Sequence, residues 1–168
     1  MLEALRIDPE VEVARIVDFI TRQLHDAGYS RAVVGVSGGV DSALVAALCT
    51  RALGAENVYG LLLPYATSNP ESAADGRLVC QELGLPHSLF DITPAADALI
   101  AREPAMDSTR KGNIMSRCRM VVLYDQSAAW NGLVMGTGNR TESLLGYFTL
   151  YGDSACAMRP IAHLYKCQ

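Results

Sequence analysis

The segment Gly35-Val36-Ser37-Gly38-Gly39-Val40-Asp41-Ser42 constrains the fold more than any other stretch of the chain. The apolar run Ala32-Val33-Val34 leads into it, and a helix-forming segment over residues 43–53 leads out. Strand, glycine-rich turn and helix, in that order, turn backbone N–H groups and a helix N-terminus toward one point, which suits a phosphate. Ser37 and Ser42 add hydroxyl donors. Asp41 adds a carboxylate, which repels bare phosphate but suits a magnesium ion lying between the two. The segment lacks the Gly-Lys-[Ser/Thr] ending of a Walker loop, and its glycine spacing is not that of a dinucleotide fingerprint. A plain tight turn would need neither the serines nor the aspartate.

The remaining chain alternates helix-like and strand-like segments. Val13, Ile16, Val17, Ile20 and Leu24 recur at helical spacing over residues 9–27, with Asp8-Pro9 as cap and first residue and Gly28 as the stop. Residues 31–36 read as a first strand, continuously apolar in its middle as a buried parallel strand should be. Further strands are expected at 57–64, 87–91 and 133–136, and helices at 71–83, 93–101 and 113–130, with 104–112 as a polar loop. Strands alternating with helices predict an α/β fold: one doubly wound parallel sheet with helices on both faces, built as a single domain over residues 1–168.

Composition bounds the partners. Half of the residues are apolar and the net charge is −4, so neither nucleic acid nor an acidic membrane surface is expected. The amino terminus, Met1-Leu2-Glu3-Ala4-Leu5-Arg6, lacks the layout of a signal peptide, and no apolar run is long enough to span a bilayer. The expected location is the cytoplasm. The cysteines, Cys49, Cys80, Cys118, Cys156 and Cys167, are scattered and never spaced as C-x-x-C. They read as small thiols in a reducing compartment rather than a zinc site or disulfide framework. His25, His87 and His163 share no metal-like spacing.

Three later clusters carry chemistry. Arg110, Lys111, Arg117 and Arg119 gather four cations within ten residues of an otherwise acidic chain, as a solvated basic face or an anion site. Arg117 is suited to bidentate pairing with a carboxylate or phosphate. Gly136-Thr137-Gly138-Asn139-Arg140-Thr141-Glu142 follows a strand and so sits at the ligand edge of an α/β sheet. There Thr137 can donate to a nucleotide and Glu142 can share magnesium with Asp41; alternatively, Glu142 simply favours a helix dipole. The mixed aromatic and glycine segment from Gly146 to Asp153 fits a binding loop better than a core strand.

The Ser-Gly-Gly-x-Asp-Ser form resembles the pyrophosphate loop of the N-type ATP pyrophosphatases, which split ATP into AMP and pyrophosphate and leave an adenylate on the substrate. Later segments narrow the resemblance. Leu63-Pro64-Tyr65, Thr67-Ser68-Asn69-Pro70-Glu71-Ser72, Arg110-Lys111-Gly112-Asn113-Ile114 through Arg119-Met120, Gly136-Thr137 with Glu142, Gly146-Tyr147-Phe148-Thr149 with Tyr151-Gly152-Asp153, and Pro160-Ile161 with Leu164-Tyr165-Lys166 occur in this order. Together they are similar to the NAD synthetases, on the branch that uses free ammonia rather than a fused glutaminase.

The resemblance implies an adenine nucleotide alpha hydrolase-like, Rossmann-like fold. It implies ATP bound through Gly35, Val36, Ser37, Gly38, Gly39, Val40, Asp41 and Ser42, with Thr137 on the nucleotide and Lys166 on the phosphates. Magnesium would be held by Asp41 and Glu142, and Arg117 would contact nicotinic acid adenine dinucleotide. The nicotinate carboxylate would be adenylated and then amidated by ammonia, with Asp153 as a buried carboxylate that holds ammonium and accepts its proton. A homodimer built partly on the 113–130 helix is implied too. Alanine at Asp41 or Glu142 is expected to abolish magnesium-dependent turnover and leave the fold intact.

Leu150 stands where many members carry a lysine that touches the dinucleotide, so that contact is not carried over. Members also continue for several elements beyond Lys166, and the chain is read as lacking them. Two other readings stay open: another adenylating pyrophosphatase, and a nucleotide-binding module without turnover. The missing C-x-x-C and the acidic balance speak against the tRNA sulfur transferases.

Overall fold

The computed structural model describes residues 5–168; residues 1–4, part of the amino-terminal stretch read above for a signal layout, lie outside it. Four strands, β1 (Ala32–Gly35), β2 (Val58–Leu62), β3 (His87–Leu89) and β4 (Leu133–Met135), form one sheet in the order β3-β2-β1-β4. All three pairings are parallel, with Val33 opposite Tyr59 on one side and Val134 on the other. The chain moves outward from β1 to β2 to β3, then crosses back to place β4 on the far side of β1. This is the doubly wound arrangement, and its direction reverses between β1 and β4.

Period-two alternation divides the core between two faces. Val34 and Val36 pack with α1 (Pro9–Asp26), α2 (Val40–Leu53) and Cys80 of α3 (Pro70–Glu82). Val33 and Leu61 pack on the opposite face against Met115, Cys118, Val122 and Leu123 of α5 (Ser108–Trp130). Because helices cover both faces, Ala32, Val33 and Val34 are wholly buried, which explains the continuous apolar run. Tyr59 of β2 stacks on Trp130 at the end of α5, with ring centroids 4.9 Å apart.

Local capping sets the helix starts. Asp8 Oδ1 accepts from the Glu10 N–H at 3.0 Å, and Asn69 Oδ1 accepts from the Glu71 N–H at 3.0 Å. Asp91 accepts from the Thr93 N–H at 2.8 Å ahead of α4 (Thr93–Ile100). Two helix starts differ from the sequence expectation by more than one residue. α5 begins at Ser108, five residues before Asn113, so part of the expected 104–112 loop is helix. The cause is Asp107, whose carboxylate accepts from the Arg110 N–H at 2.8 Å and caps a polar first turn that reads as loop. α2 begins at Val40, which puts Val40, Asp41 and Ser42 on a helical first turn rather than in the loop. A short α6 (Arg140–Leu145) follows β4. Among the described residues, no helix is long and apolar enough to cross a membrane.

Candidate active site at the switch between β1 and β4

The loop after β1 and the loop after β4 open side by side where the strand order reverses, the place where open α/β sheets bind ligands. A cavity of about 630 Å³ lies there, walled by Gly35, Ser37, Arg119, Gly136, Thr137 and Asp153, among others. A smaller one of about 360 Å³ adjoins it, toward Pro64, Ser68, Asn69 and Ser72 at the end of β2 and the start of α3.

The glycine-rich loop is held from inside by its second serine. Ser42 is 3% exposed. Its Oγ donates to the Gly39 carbonyl at 2.8 Å and accepts from the Ser37 N–H at 3.1 Å. Ser42 therefore shapes the loop, while Ser37 is exposed and lines both cavities. Gly38 has φ +83° and lies against the backbone of Ser72 in α3. Gly39, Val40 and Asp41 complete the turn into α2, whose N-terminal amides carry the partial positive charge that favours an anion.

Lys166 and Asp41, 125 residues apart, meet: the Lys166 ammonium donates to Asp41 Oδ2. The Lys166 segment is itself fixed to α6, since the Lys166 N–H donates to Thr141 Oγ1 at 3.0 Å and the Arg140 N–H donates to the Leu164 carbonyl at 2.8 Å. Glu142 closes a capping box: its Oε2 accepts from the Asn139 N–H at 3.0 Å, and Asn139 Oδ1 accepts from the Glu142 N–H at 3.0 Å. The helix-terminus role that the sequence offered for Glu142 is thus present. Alanine at Glu142 would remove one bond of this box, so a loss of stability is expected beside the expected loss of turnover.

Thr137 lines the larger cavity. Asp153 does too, but it is exposed, not buried as expected for an ammonium site. Its loop rides on the surface of α5: Oδ1 accepts from the Thr149 N–H at 2.7 Å and from Ser116 Oγ at 3.0 Å, and the Asp153 N–H donates to the same oxygen at 2.9 Å. Arg117 is not in the wall of either cavity. Its Nε and Nη2 both donate to the Leu150 carbonyl at 3.2 Å, so the guanidinium grips the loop that carries Leu150. Arg110 pairs with Glu103 through two bonds of 2.8 and 2.6 Å and serves as a surface clasp. The cation cluster divides between surface and site.

Arg119, which the sequence placed only within a cation cluster read as a basic face or an anion site, stands in the site itself. It lines both cavities, its Nε donates to the Leu63 carbonyl at 2.9 Å, and burial pulls its pKa below the usual guanidinium value. The usable signal was its place in the apolar face of α5, among Met115, Cys118 and Val122.

The sequence model of the NAD synthase family matches residues 12–168. The chain belongs to the NAD synthase family. It is 48% identical over 167 residues to the NH3-dependent NAD synthetase of Trichlorobacter lovleyi, covering 99% of this chain and 61% of that relative. It is 46% identical to the enzyme of the same name from Wolinella succinogenes, covering 96% of this chain and 62% of that relative. The chain therefore spans about three-fifths of the length of these relatives. The solved NH3-dependent NAD synthetase of Campylobacter jejuni superposes with a TM-score of 0.91 at 43% identity, over 96% of this chain and 70% of that one.

Proposed function

We propose that this chain carries the nucleotide-binding and adenylating core of an ammonia-dependent NAD synthetase. The observation that carries the reading is one switch-point cavity walled by Ser37 of the glycine-rich loop, Thr137 and Asp153, with Lys166 paired to Asp41 in the first turn of α2, outside that wall. ATP would lie with its phosphates on residues 35–42, Thr137 beside the nucleotide and Lys166 as a point charge on the phosphates. Arg117, beside the Leu150 loop, would contact nicotinic acid adenine dinucleotide. That substrate's carboxylate oxygen attacks the α-phosphorus, the bond to pyrophosphate breaks, and its electron pair leaves on pyrophosphate. Ammonia then displaces AMP from the acyl group, giving NAD. Asp153, open to the cavity and steadied by Ser116 and Thr149, would bind ammonium and take its proton.

Asp41 and Glu142 are the carboxylates that would hold magnesium. Each keeps one carboxylate oxygen that bonds to no described residue, Oδ1 of Asp41 and Oε1 of Glu142. One or two carboxylates with substrate phosphates are the usual magnesium environment. When bound there, the ion would neutralise charge gathering on the leaving pyrophosphate. A cytoplasmic homodimer accompanies this reading. Val121 and Tyr124 of α5 and Leu144, Leu145, Tyr147 and Tyr151 nearby in sequence are large, apolar and exposed, which supports burial against a second copy.

The test is pyrophosphate release from ATP and magnesium with ammonium, with and without nicotinic acid adenine dinucleotide. Release that requires the dinucleotide and yields NAD is the expected result. Saturable ATP binding without release would make the chain a nucleotide-binding module instead. Arg117→Lys loses the fork on the Leu150 carbonyl and is expected to weaken dinucleotide binding about tenfold, with ATP binding changed much less. Titration calorimetry with each ligand checks this; equal losses would assign Arg117 to folding.

A further inference from the structure

The larger and smaller cavities share part of one wall, made by Val36, Ser37, Leu63 and Arg119. Any ligand that reaches from one to the other passes the phosphate loop and this guanidinium. Arg110 pairs with Glu103, and Lys166 pairs with Asp41. Among the described residues, no carboxylate pairs with Arg119. Its recorded hydrogen bond is the one from Nε to the Leu63 carbonyl. That bond holds the guanidinium at Nε, and among the described residues neither Nη group has a hydrogen-bond partner.

A partly buried cation without a counter-charge is costly in the empty protein. A planar, pre-oriented guanidinium matches the two oxygens of a phosphoryl or carboxylate group. The Ser37 side chain stands on the same shared wall, and the N-terminus of α2 that follows it favours an anion in this region, which suits the phosphoryl group.

We propose that Arg119 binds a phosphoryl oxygen of the nucleotide where it crosses from the smaller cavity into the larger. The inference rests on the proposed function only in taking ATP as that nucleotide. The competing source of the same chemistry is the carboxylate of the dinucleotide substrate.

The test uses the full chain with Arg119→Gln and Arg119→Lys, titrated separately with ATP and with nicotinic acid adenine dinucleotide, and melted with and without ATP. Glutamine places an amide nitrogen where Nε stands, so it keeps a donor for the Leu63 carbonyl but removes the Nη groups and the charge. ATP affinity is expected to fall about ten- to a hundredfold in Arg119→Gln and less in Arg119→Lys, with dinucleotide affinity nearly unchanged. Without nucleotide, Arg119→Gln should melt at or above the temperature of the unaltered chain, since an unpaired charge has been removed. Its ATP-dependent rise in melting temperature should shrink.

ATP affinity equal to that of the unaltered chain would overturn the inference. So would loss confined to the dinucleotide, which would assign the carboxylate. A lower melting temperature without ATP, with no partial rescue by lysine, would assign a structural role and overturn it, as would an unaltered chain that binds no ATP. A chain that binds ATP through Arg119 but forms no NAD would sink the amidation reading and leave this one standing.

Discussion

Gly38→Ala is expected to destabilise the protein by at least about 3 kcal/mol, read as a drop in the urea midpoint at unchanged slope. Two causes add. Gly38 has φ +83°, a left-handed conformation that strains any L side chain. An added Cβ would also lie 3.0 and 3.1 Å from Ser72 C and Cα, and closer still to the Ser72 carbonyl oxygen. Those are backbone atoms of the first turn of α3, so relief requires the helix to move. The helix is pressed against the sheet elsewhere: a Cβ on Gly76 would come within 2.7 Å of Leu62 Cδ2 and 3.0 Å of the Val36 carbonyl. Gly28→Ala separates the two causes. Gly28 has φ +78° with no atom within 4 Å of the added carbon, so only the conformational term of about 1 kcal/mol is expected. Equal losses at the two positions would show that the contact with Ser72 carries no weight. Because Gly38 shapes the phosphate loop, its substitution should also abolish ATP binding.

Glu142→Gln is expected to fold like the unaltered chain and to lose magnesium-dependent pyrophosphate release by about a hundredfold or more. Glutamine retains an acceptor for the Asn139 N–H, so the capping box survives, while the negative charge proposed for magnesium is gone. Glu142→Ala should lose both, with about 0.5–2 kcal/mol of stability removed along with the cap. Melting curves and turnover measured side by side distinguish the roles. Undiminished turnover in Glu142→Gln would make Glu142 a cap and nothing more. The Asp41–Lys166 pair calls for the same care, because it is partly exposed and contributes no more than about 1 kcal/mol to the fold. A large effect of Asp41→Asn on turnover would therefore report on chemistry rather than on unfolding.

Much of the architecture was legible along the chain. The apolar spacing from Val13 to Leu24 and the run Ala32-Val33-Val34 are short-range patterns, and helix and strand follow from them through backbone period and burial. The strand, glycine-rich turn and helix around Gly35 to Ser42 were legible too, and the doubly wound sheet followed from alternation. The start of α5 was missed because Asp107 caps a first turn, Ser108-Thr109-Arg110-Lys111, that has no apolar period to reveal it.

Local chemistry thus dictated the elements and the glycine-rich turn, because capping, periodicity and turn conformation act between residues a few positions apart. Distant partners were settled only in three dimensions. The ammonium of Lys166 on Asp41, Asp153 on Ser116, the Ser72 backbone against Gly38 and the guanidinium of Arg119 on the Leu63 carbonyl all join residues far apart in the chain. No pattern along the chain encodes such pairs, because each depends on where packing sets two separate elements side by side. The exposure of Asp153 has the same origin: a carboxylate is buried or open according to what covers it, and its loop rides on the surface of α5.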